Sequence, residues 1–396
     1  MTVKNARRGG EHGSWSPRAM LKTFHGLRAL RGGACLLVVI FHLGQWETLY
    51  GTHTPVLREY RWFAFAGVDL FFVLSGFVIA HSHWDQFGQP RLVTGYLFRR
   101  FWRLYPPFWA VMVITGVVGW MTLGWQPLNP GAPTSIRWYW LTLLPDEPTN
   151  AWVPPAWTLT YEMMFYLALA ALVVLPRRRG WMVLAGWAVV AAAAAVCPVP
   201  TDPFLAAAVD PLVLEFLGGV VVAALLRRGW CRFGRPAIAA GVVYAVAVGA
   251  LMAADTREYK DWEVVLSSHA SRVLIFGPAA VLIVYGVVAA EIGGWTLGPR
   301  WMRVVGDASY SIYLWHGPVG PVAIAYGCYI PHSPPPHLGW LLATFAACVG
   351  GGFLFHYAVE RPLLRLARVR KNPAAIVPAP ARSSEITSPP SAALPR

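Results

Sequence analysis

Ten long apolar runs, separated by shorter polar segments, dominate the pattern of hydrophobic and polar positions along the chain. Each run is close to the roughly 20 residues that a helix needs to cross a bilayer core about 30 Å thick. The runs are continuous and lack the alternation typical of strands in a membrane barrel. They cover residues 27–45, 60–82, 102–123, 157–175, 180–198, 204–227, 237–254, 272–290, 309–329 and 338–357. The pattern predicts an all-α, polytopic transmembrane bundle of about ten helices.

Composition supports a membrane protein over a soluble one. Of 396 residues, 56% are hydrophobic and 13% are charged, and the mean hydropathy is +0.46. A soluble domain of this length needs more charge on its surface. The five cysteines are scattered, which favours neither a disulfide framework nor a zinc site. His81 and His83 lack further ligands at metal-site spacing, so we expect no metal.

The placement of the basic residues explains a net charge of +14 without a nucleic-acid partner. Most of the 33 Lys and Arg residues lie in segments that would face the cytoplasm if both termini are inside. The other six fall in the predicted outer loops: Arg58, Arg61, Arg137, Arg257, Lys260 and Arg272. Such a bias is the positive-inside rule. It predicts that both termini are cytoplasmic and that the helix count is even.

One membrane domain is predicted over residues 25–365. Residues 1–24 form a basic cytoplasmic segment, and no small-residue cleavage site follows the first run, so we expect that run to remain as an anchor. Residues 366–396 are rich in Pro, Ala and Ser and are expected to be a disordered cytoplasmic tail. The loop 124–156, rich in Pro and Trp, is expected on the outer side, where it could cover a site.

Several ionisable residues lie inside the predicted helices, where each charge costs about 2.5–3.5 kcal/mol on insertion scales. They are Arg31, His42, Asp69, Glu162, Glu215 and His316. Arg31 and His42 are eleven residues apart, which places them on one helix face with roughly 16 Å of rise. They could line one face of a pore or site inside the bundle. They could equally be a snorkelling arginine and a hydrogen-bonded core histidine.

Asp69 and Glu162 are the carboxylates that we expect to reach the depth of His42. A carboxylate beside an imidazole fixes its tautomer and raises its basicity, as a general base requires. Structural pairing between helices is the alternative for each of them.

Three further clusters have both a functional and a structural interpretation. Arg99, Arg100 and Arg103 open the third helix, where they could bind the phosphates of coenzyme A or could only set the topology. Ser309, Tyr310 and Ser311 open the ninth helix, where they could hydrogen bond a cofactor or cap the helix. The segment 360–362 (ERP) is expected to stop the tenth helix with a local ion pair.

Taken together, these segments resemble the acyltransferase 3 family of bacterial integral membrane acyltransferases, over nearly the whole chain. Any one motif is weak, but six in order, each at the expected helix, are specific. The motifs are 30–42 with its arginine and histidine, 67–76 (GVDLFFVLSG), 99–106 (RRFWRLYP), 157–166 (WTLTYEMMFY), 306–316 (GDASYSIYLWH) and 360–362 (ERP). Thr158 replaces the usual serine of the tryptophan motif and keeps the hydroxyl.

The resemblance implies transfer of an acyl group, usually acetyl from acetyl-CoA, to a hydroxyl of a sugar or glycolipid at the bacterial inner membrane. Acetyl-CoA would be a co-substrate, with no permanently bound cofactor. The family's arginine-to-histidine motif carries over to Arg31 and His42, and its arginine pair to Arg100 and Arg103. Its serine-tyrosine-serine segment carries over to 309–311. Some members add a periplasmic domain, whose role here would belong to a separate periplasmic protein or be unnecessary.

These expectations give a mechanism and an alternative. Acetyl-CoA would dock from the cytosol on the three arginines of the third helix, and His42 would deprotonate the acceptor hydroxyl, with Glu162 or Asp69 stabilising the imidazolium. Direct transfer is simplest, although an acyl-enzyme through Ser75 or a buried tyrosine stays open. The rival function is a transporter or flippase of a lipid-linked saccharide, which also needs midplane polar groups.

Overall fold

A computed structural model describes residues 24–50, 56–57, 61–123, 141–145, 153–198, 200–254, 265–329 and 337–369. Every one of the ten predicted apolar runs overlaps a long helix. The helices are α1 (His25–Tyr50), α2 (Ala66–His83), α3 (Val93–Leu123), α4 (Trp157–Val174), α5 (Arg177–Ala194), α6 (Val213–Arg227), α7 (Gly234–Ala254), α8 (His269–Ile292), α9 (Ser309–Tyr329) and α10 (His337–Phe355). Short α-helices lie at Arg61–Ala64 before α2, Pro203–Ala208 before α6 and Arg300–Asp307 before α9, and short 3₁₀ helices precede α3 and α4 at Pro90–Leu92 and Pro154–Ala156.

Eight helical segments in the described part of the chain are long and apolar enough to cross a membrane. They are His25–Leu49, Ala66–Gln86, Pro90–Val118, Trp157–Val174, Pro203–Arg227, Gly234–Met252, His269–Ile292 and Leu338–Leu366. The prediction of a helical, multi-pass membrane bundle is confirmed. Helices α5 and α9 are not among the eight, so the count of about ten spans and the orientation with both termini inside stay predictions. The predicted tail beyond 369 and most of the loop 124–156 lie outside the described residues.

Helix α1 packs most extensively against the short helix Arg300–Asp307 and also contacts α2, α8, α9 and α10. The α2–α6 crossing shows why such contacts are close. A methyl group on Gly76 would lie 2.0 Å from the carbonyl oxygen of Phe216, and one on Gly219 would lie 2.1 Å from that of Val73. Only glycine allows this approach, because any side chain would clash with these carbonyl oxygens. Close approach matters in a membrane, since lipid provides no hydrophobic drive between helices and their association depends on close packing. The crossing fixes the position of α2, which forms a wall of the site described below.

Helix α10 does not stop where the sequence predicts. It continues through a π-helical turn, His356–Glu360, into α11 (Arg361–Val369). Pro362 is the second residue of α11, near a helix start, where the N–H that proline lacks is least needed. The predicted helix stop at 360–362 is therefore wrong, and the π turn brings the side chains of His356 and Glu360 together.

Candidate active site

A cavity of about 950 Å³, its mouth included, lies between α1, α2, α3, α4 and α9. It follows α2 from Val68 to Ile79, a rise of roughly 16 Å at 1.5 Å per residue. The side that α2 forms is mostly apolar. Helix α2 contributes one polar residue, Ser75, and the other helices supply the rest of the polar lining: Arg31, Arg100, Arg103, Thr158, Glu162, Tyr166, Ser309, Tyr310 and Tyr313. The cavity thus combines an apolar wall with a cationic one.

Three of the predicted arginines converge on this cavity. Arg31 comes from α1, while Arg100 and Arg103 are one turn apart on α3 and share a face. The charged neighbours of Arg31 include Arg103 and Glu162. Because Glu162 is the one carboxylate among the lining residues, the lining has an excess of positive charge. Guanidinium groups so placed suit a phosphate-bearing ligand.

Arg103 is held in place by a buried acidic residue whose role the sequence analysis missed. Its Nη1 donates to Oε1 of Glu360 at 2.9 Å, and its guanidinium lies 5.4 Å from the ring centroid of Tyr310. Glu360 also accepts from Ser311 Oγ at 2.6 Å and lies 2.7 Å from His356 Nδ1. Its partner is therefore Arg103, not its neighbour along the chain. The usable signal was a carboxylate at the same membrane face as three arginines.

Arg100 is less constrained than Arg103. Its guanidinium lies over the rings of Tyr96 and Tyr166, and Nη2 is 3.3 Å from both ring nitrogens of His83. Its buried Nε has no hydrogen-bond partner in the described part of the chain. By contrast, Arg99 donates to Gln86 Oε1 at 3.0 Å and does not line the cavity. The three arginines predicted to act together therefore separate into two that line the cavity and one that lies outside its lining.

The serine-tyrosine-serine segment also divides. Ser309 is fully buried, lines the cavity, and has no partner for its Oγ among the described residues. Tyr310 lines the cavity too, while its hydroxyl donates to the carbonyl of Leu104 at 2.6 Å. Ser311 points to Glu360 and does not line the cavity. Ser309 is thus the member whose hydroxyl is available to a ligand.

Glu162 lies on the cavity wall, where it accepts a hydrogen bond from the Tyr166 hydroxyl, one turn along α4. Near the same wall, the Tyr313 hydroxyl is 2.5 Å from Thr158 Oγ1 and donates to the carbonyl of Pro155 at 2.8 Å. These bonds join α9 to the beginning of α4. The hydroxyl that Thr158 retains from the family motif therefore contributes to the wall.

His42 lies outside the cavity lining, beside a second histidine. It is 8% exposed, and its Nδ1 is 2.9 Å from the carbonyl oxygen of Val38 and 3.2 Å from His316 Nε2. The ring of His316 lies 5.6 Å, centroid to centroid, from that of Tyr313, which does line the cavity. The histidine pair therefore stands behind the Tyr313 side of the cavity wall, while Arg31 lies on the wall itself.

Asp69 pairs with an arginine and is not hydrogen bonded to His42. Its Oδ2 accepts from Arg272 Nη2 at 3.0 Å, and both side chains are fully buried. Glu215 is an acidic neighbour of this pair. Arg272 was expected in an outer loop, but it lies in α8, where a buried arginine requires a carboxylate. The contacts of Asp69 match its structural alternative. Neither Asp69 nor Glu162 is hydrogen bonded to the His42 imidazole among the described residues, and a role for either beside His42 stays a prediction.

Comparison with known proteins identifies the family. A family model for an acyltransferase domain matches residues 24–356. The exopolysaccharide production protein ExoZ of Rhizobium meliloti (strain 1021) is 29% identical over 324 residues, which are 77% of this chain and 91% of ExoZ. The acyltransferase MdmB of Streptomyces mycarofaciens is 29% identical over 399 residues, covering 90% of this chain and 95% of MdmB. No solved structure matches. The chain therefore belongs to the acyltransferase 3 family of membrane acyltransferases.

Proposed function

We propose that this protein is an O-acyltransferase that moves an acyl group, acetyl in the simplest case, from acyl-CoA to a hydroxyl of a cell-surface saccharide or glycolipid. The observation that carries the proposal is the cavity in which Arg31, Arg100 and Arg103 face an apolar wall. Coenzyme A has the matching chemistry, since it joins phosphates to a long and weakly polar thiol arm.

The donor would place its phosphates on the arginine side. Arginine forks bind phosphate oxygens in pairs, and such charge-assisted bonds are roughly twice as strong as neutral ones. Arg100 Nε and Ser309 Oγ, which have no hydrogen-bond partner among the described residues, are donors that a bound ligand could satisfy. The arm would follow the apolar side along α2, over the roughly 16 Å from Val68 to Ile79.

The acyl transfer itself would use His42 as general base. The imidazole takes the proton of the acceptor hydroxyl while the oxygen attacks the thioester carbonyl. The C–S bond then breaks, and the thiolate leaves with the proton that the imidazolium returns. Since His42 lies behind the cavity wall, the acceptor would approach it from the outer half of the bundle. This route keeps the donor on the cytoplasmic side and the acceptor on the other.

The acceptor class rests on one relative. The name of ExoZ links that protein to exopolysaccharide production. We extend this to a saccharide or glycolipid acceptor for the present chain, at the bacterial inner membrane. A separate periplasmic protein could deliver the acceptor or receive the product.

The test is a transfer assay on membranes that contain the protein, using acetyl-CoA labelled in the acetyl group and, in parallel, in the adenine. Acyl transfer predicts acetyl label in a saccharide or glycolipid fraction, released by mild alkali as an ester would be, with no adenine label there. Membranes without the protein are the control. Movement of a lipid-linked saccharide across the membrane without ester formation would instead favour the flippase and overturn the proposal.

A further inference from the structure

A buried pair of histidines is a feature that the proposed mechanism does not fully use. Helix α1 contributes His42 and α9 contributes His316, with ring centroids 4.9 Å apart. We infer that His316 is a positioning residue that orients the ring of His42 and, together with the carbonyl of Val38, fixes its tautomer, so that His42 presents an unprotonated Nε2 to the acceptor hydroxyl. The inference rests on the proposed function, because it assumes that His42 is the base.

The protonation of His316 follows from its backbone contact. Its Nδ1 lies 3.2 Å from the carbonyl oxygen of Ile312, one turn earlier in α9. A carbonyl oxygen only accepts, so Nδ1 must carry the proton. A neutral imidazole has one N–H and one acceptor nitrogen. The Nε2 of His316 is therefore a hydrogen-bond acceptor.

The protonation of His42 follows in turn. Its Nδ1 is 2.9 Å from the carbonyl oxygen of Val38 and 3.2 Å from Nε2 of His316. Both neighbours accept, so Nδ1 of His42 carries the proton and shares it between them. The lone pair of His42 is left on Nε2, which has no hydrogen-bond partner among the described residues. Two backbone carbonyls and one second histidine thus select the tautomer that a general base needs.

The surroundings explain why this partner is an imidazole and not a carboxylate. His316 is fully buried, and the rings of Trp46 and Tyr313 pack against it. A carboxylate there would have to be desolvated at a cost of several kcal/mol. A neutral imidazole accepts the same hydrogen bond without introducing a charge. Of the two carboxylates predicted to serve His42, Asp69 pairs with Arg272 and Glu162 bonds to Tyr166.

His316 acts through His42 and does not contact substrate in this scheme. Its side chain is fully buried, it does not line the cavity, and both ring nitrogens have partners within the protein. The inference therefore predicts a defect in the chemical step without a defect in donor binding. A residue with only a packing role would affect the amount of folded protein, but not kcat per folded molecule.

The test compares His316→Phe with His316→Gln in the full-length protein in membranes. Phenylalanine keeps a ring of similar size but removes the acceptor. Glutamine places an amide oxygen near the position of Nε2 and restores an acceptor. We expect His316→Phe to lower kcat at least about tenfold with an unchanged KM for acetyl-CoA, because a misoriented base loses most of its contribution. We expect kcat of His316→Gln to lie above that of His316→Phe, by at least about a third of the difference in log kcat between His316→Phe and wild type.

Thr344→Val is the matched structural control, since Thr344 is buried, bonds to the carbonyl of Trp340 at 2.9 Å, and lies away from the cavity. It should keep the wild-type kcat per folded molecule. Wild-type kcat in His316→Phe would overturn the inference, as would equal losses in the Phe and Gln variants. His42→Ala is assayed in parallel: if it retains activity, the base assignment fails instead, so the two failures are distinguishable.

Discussion

Arg103 of α3 donates a hydrogen bond of 2.9 Å to Glu360 in the π turn after α10, across 257 positions of sequence. Glu360 is fully buried, and Ser311 of α9 bonds to the same carboxylate. One acidic side chain therefore joins three helices and sets the position of an arginine that lines the cavity. The contact makes Glu360 a structural support of the proposed donor site, although it does not line the cavity itself.

Replacement of Glu360 should destabilise the bundle in proportion to the bonds lost. Glu360→Ala leaves Arg103, Ser311 and His356 without their shared acceptor, and a buried polar group left without its partner costs about 1–3 kcal/mol. Glu360→Gln keeps an acceptor and should cost less. Thermal unfolding in detergent measures both. Arg361→Ala, which changes an exposed neighbour, should have little effect on stability. A loss of stability as large as that of Glu360→Ala would mean that Glu360 pairs with Arg361 and not with Arg103.

Arg100 and Arg103 should control donor affinity. Each loss of a charged hydrogen bond costs about 1.5–3 kcal/mol, so Arg100→Gln or Arg103→Gln should raise the Kd for acetyl-CoA by roughly tenfold or more. The remaining affinity should also depend less on salt. Equilibrium binding of labelled acetyl-CoA to membranes at two ionic strengths measures this.

Arg99 provides the contrast within the same motif. It bonds to Gln86 outside the cavity lining, so Arg99→Gln should change the Kd by less than about threefold, in line with a surface contact. The exposed Arg91, changed to Gln, controls for the loss of one positive charge at this end of the helix. Equal weakening by all four substitutions would show that these arginines act through topology or overall charge.

The wild-type Glu162 side chain should weaken donor binding, because it places a negative charge among the arginines of the cavity. Glu162→Gln should therefore tighten acetyl-CoA binding by about 1 kcal/mol, or roughly fivefold, while keeping an acceptor for the Tyr166 hydroxyl. The same binding assay decides. Unchanged affinity together with a large fall in kcat would instead place Glu162 in the chemical step, as the sequence analysis allowed.

The Asp69–Arg272 pair should behave as one structural unit. Arg272→Ala leaves Asp69 buried without its cation and should cost about 3–5 kcal/mol of stability. Asp69→Ala should cost less, because Glu215 remains beside Arg272. The variant that combines Asp69→Ala with Arg272→Ala should lose less stability than the sum of the two single losses. A double-mutant cycle on the free energy of unfolding measures this difference. Additive losses would contradict the pairing. An Asp69→Asn variant that folds normally but has no activity would restore its candidacy beside His42.

Much of the fold follows from the sequence because hydrocarbon imposes a length on each spanning helix. The apolar runs of α1 to α10 could be found for that reason. Arg31, Arg100, Glu162 and Ser309 could also be proposed for one site, since each is a polar residue that a bilayer does not tolerate without a partner or a ligand.

The pairings between helices could not be found in this way. Spacing along one helix places Arg31 and His42 on one face, but it does not tell which helix packs opposite them. The His42–His316 contact depends on how α1 crosses α9, and the Asp69–Arg272 contact on how α2 crosses α8. These crossings are set by close packing, including glycine contacts such as those of Gly76, that single-helix patterns do not contain.

The most direct test of the account is acetyl transfer by the His42→Ala variant, measured beside equilibrium binding of acetyl-CoA to the same membranes. Because His42 does not line the cavity, donor binding should stay within about threefold of wild type. Because it is the proposed base, label transfer to the saccharide fraction should fall by at least about a hundredfold. Normal transfer by this variant at equal expression would contradict the assignment of His42 as the base.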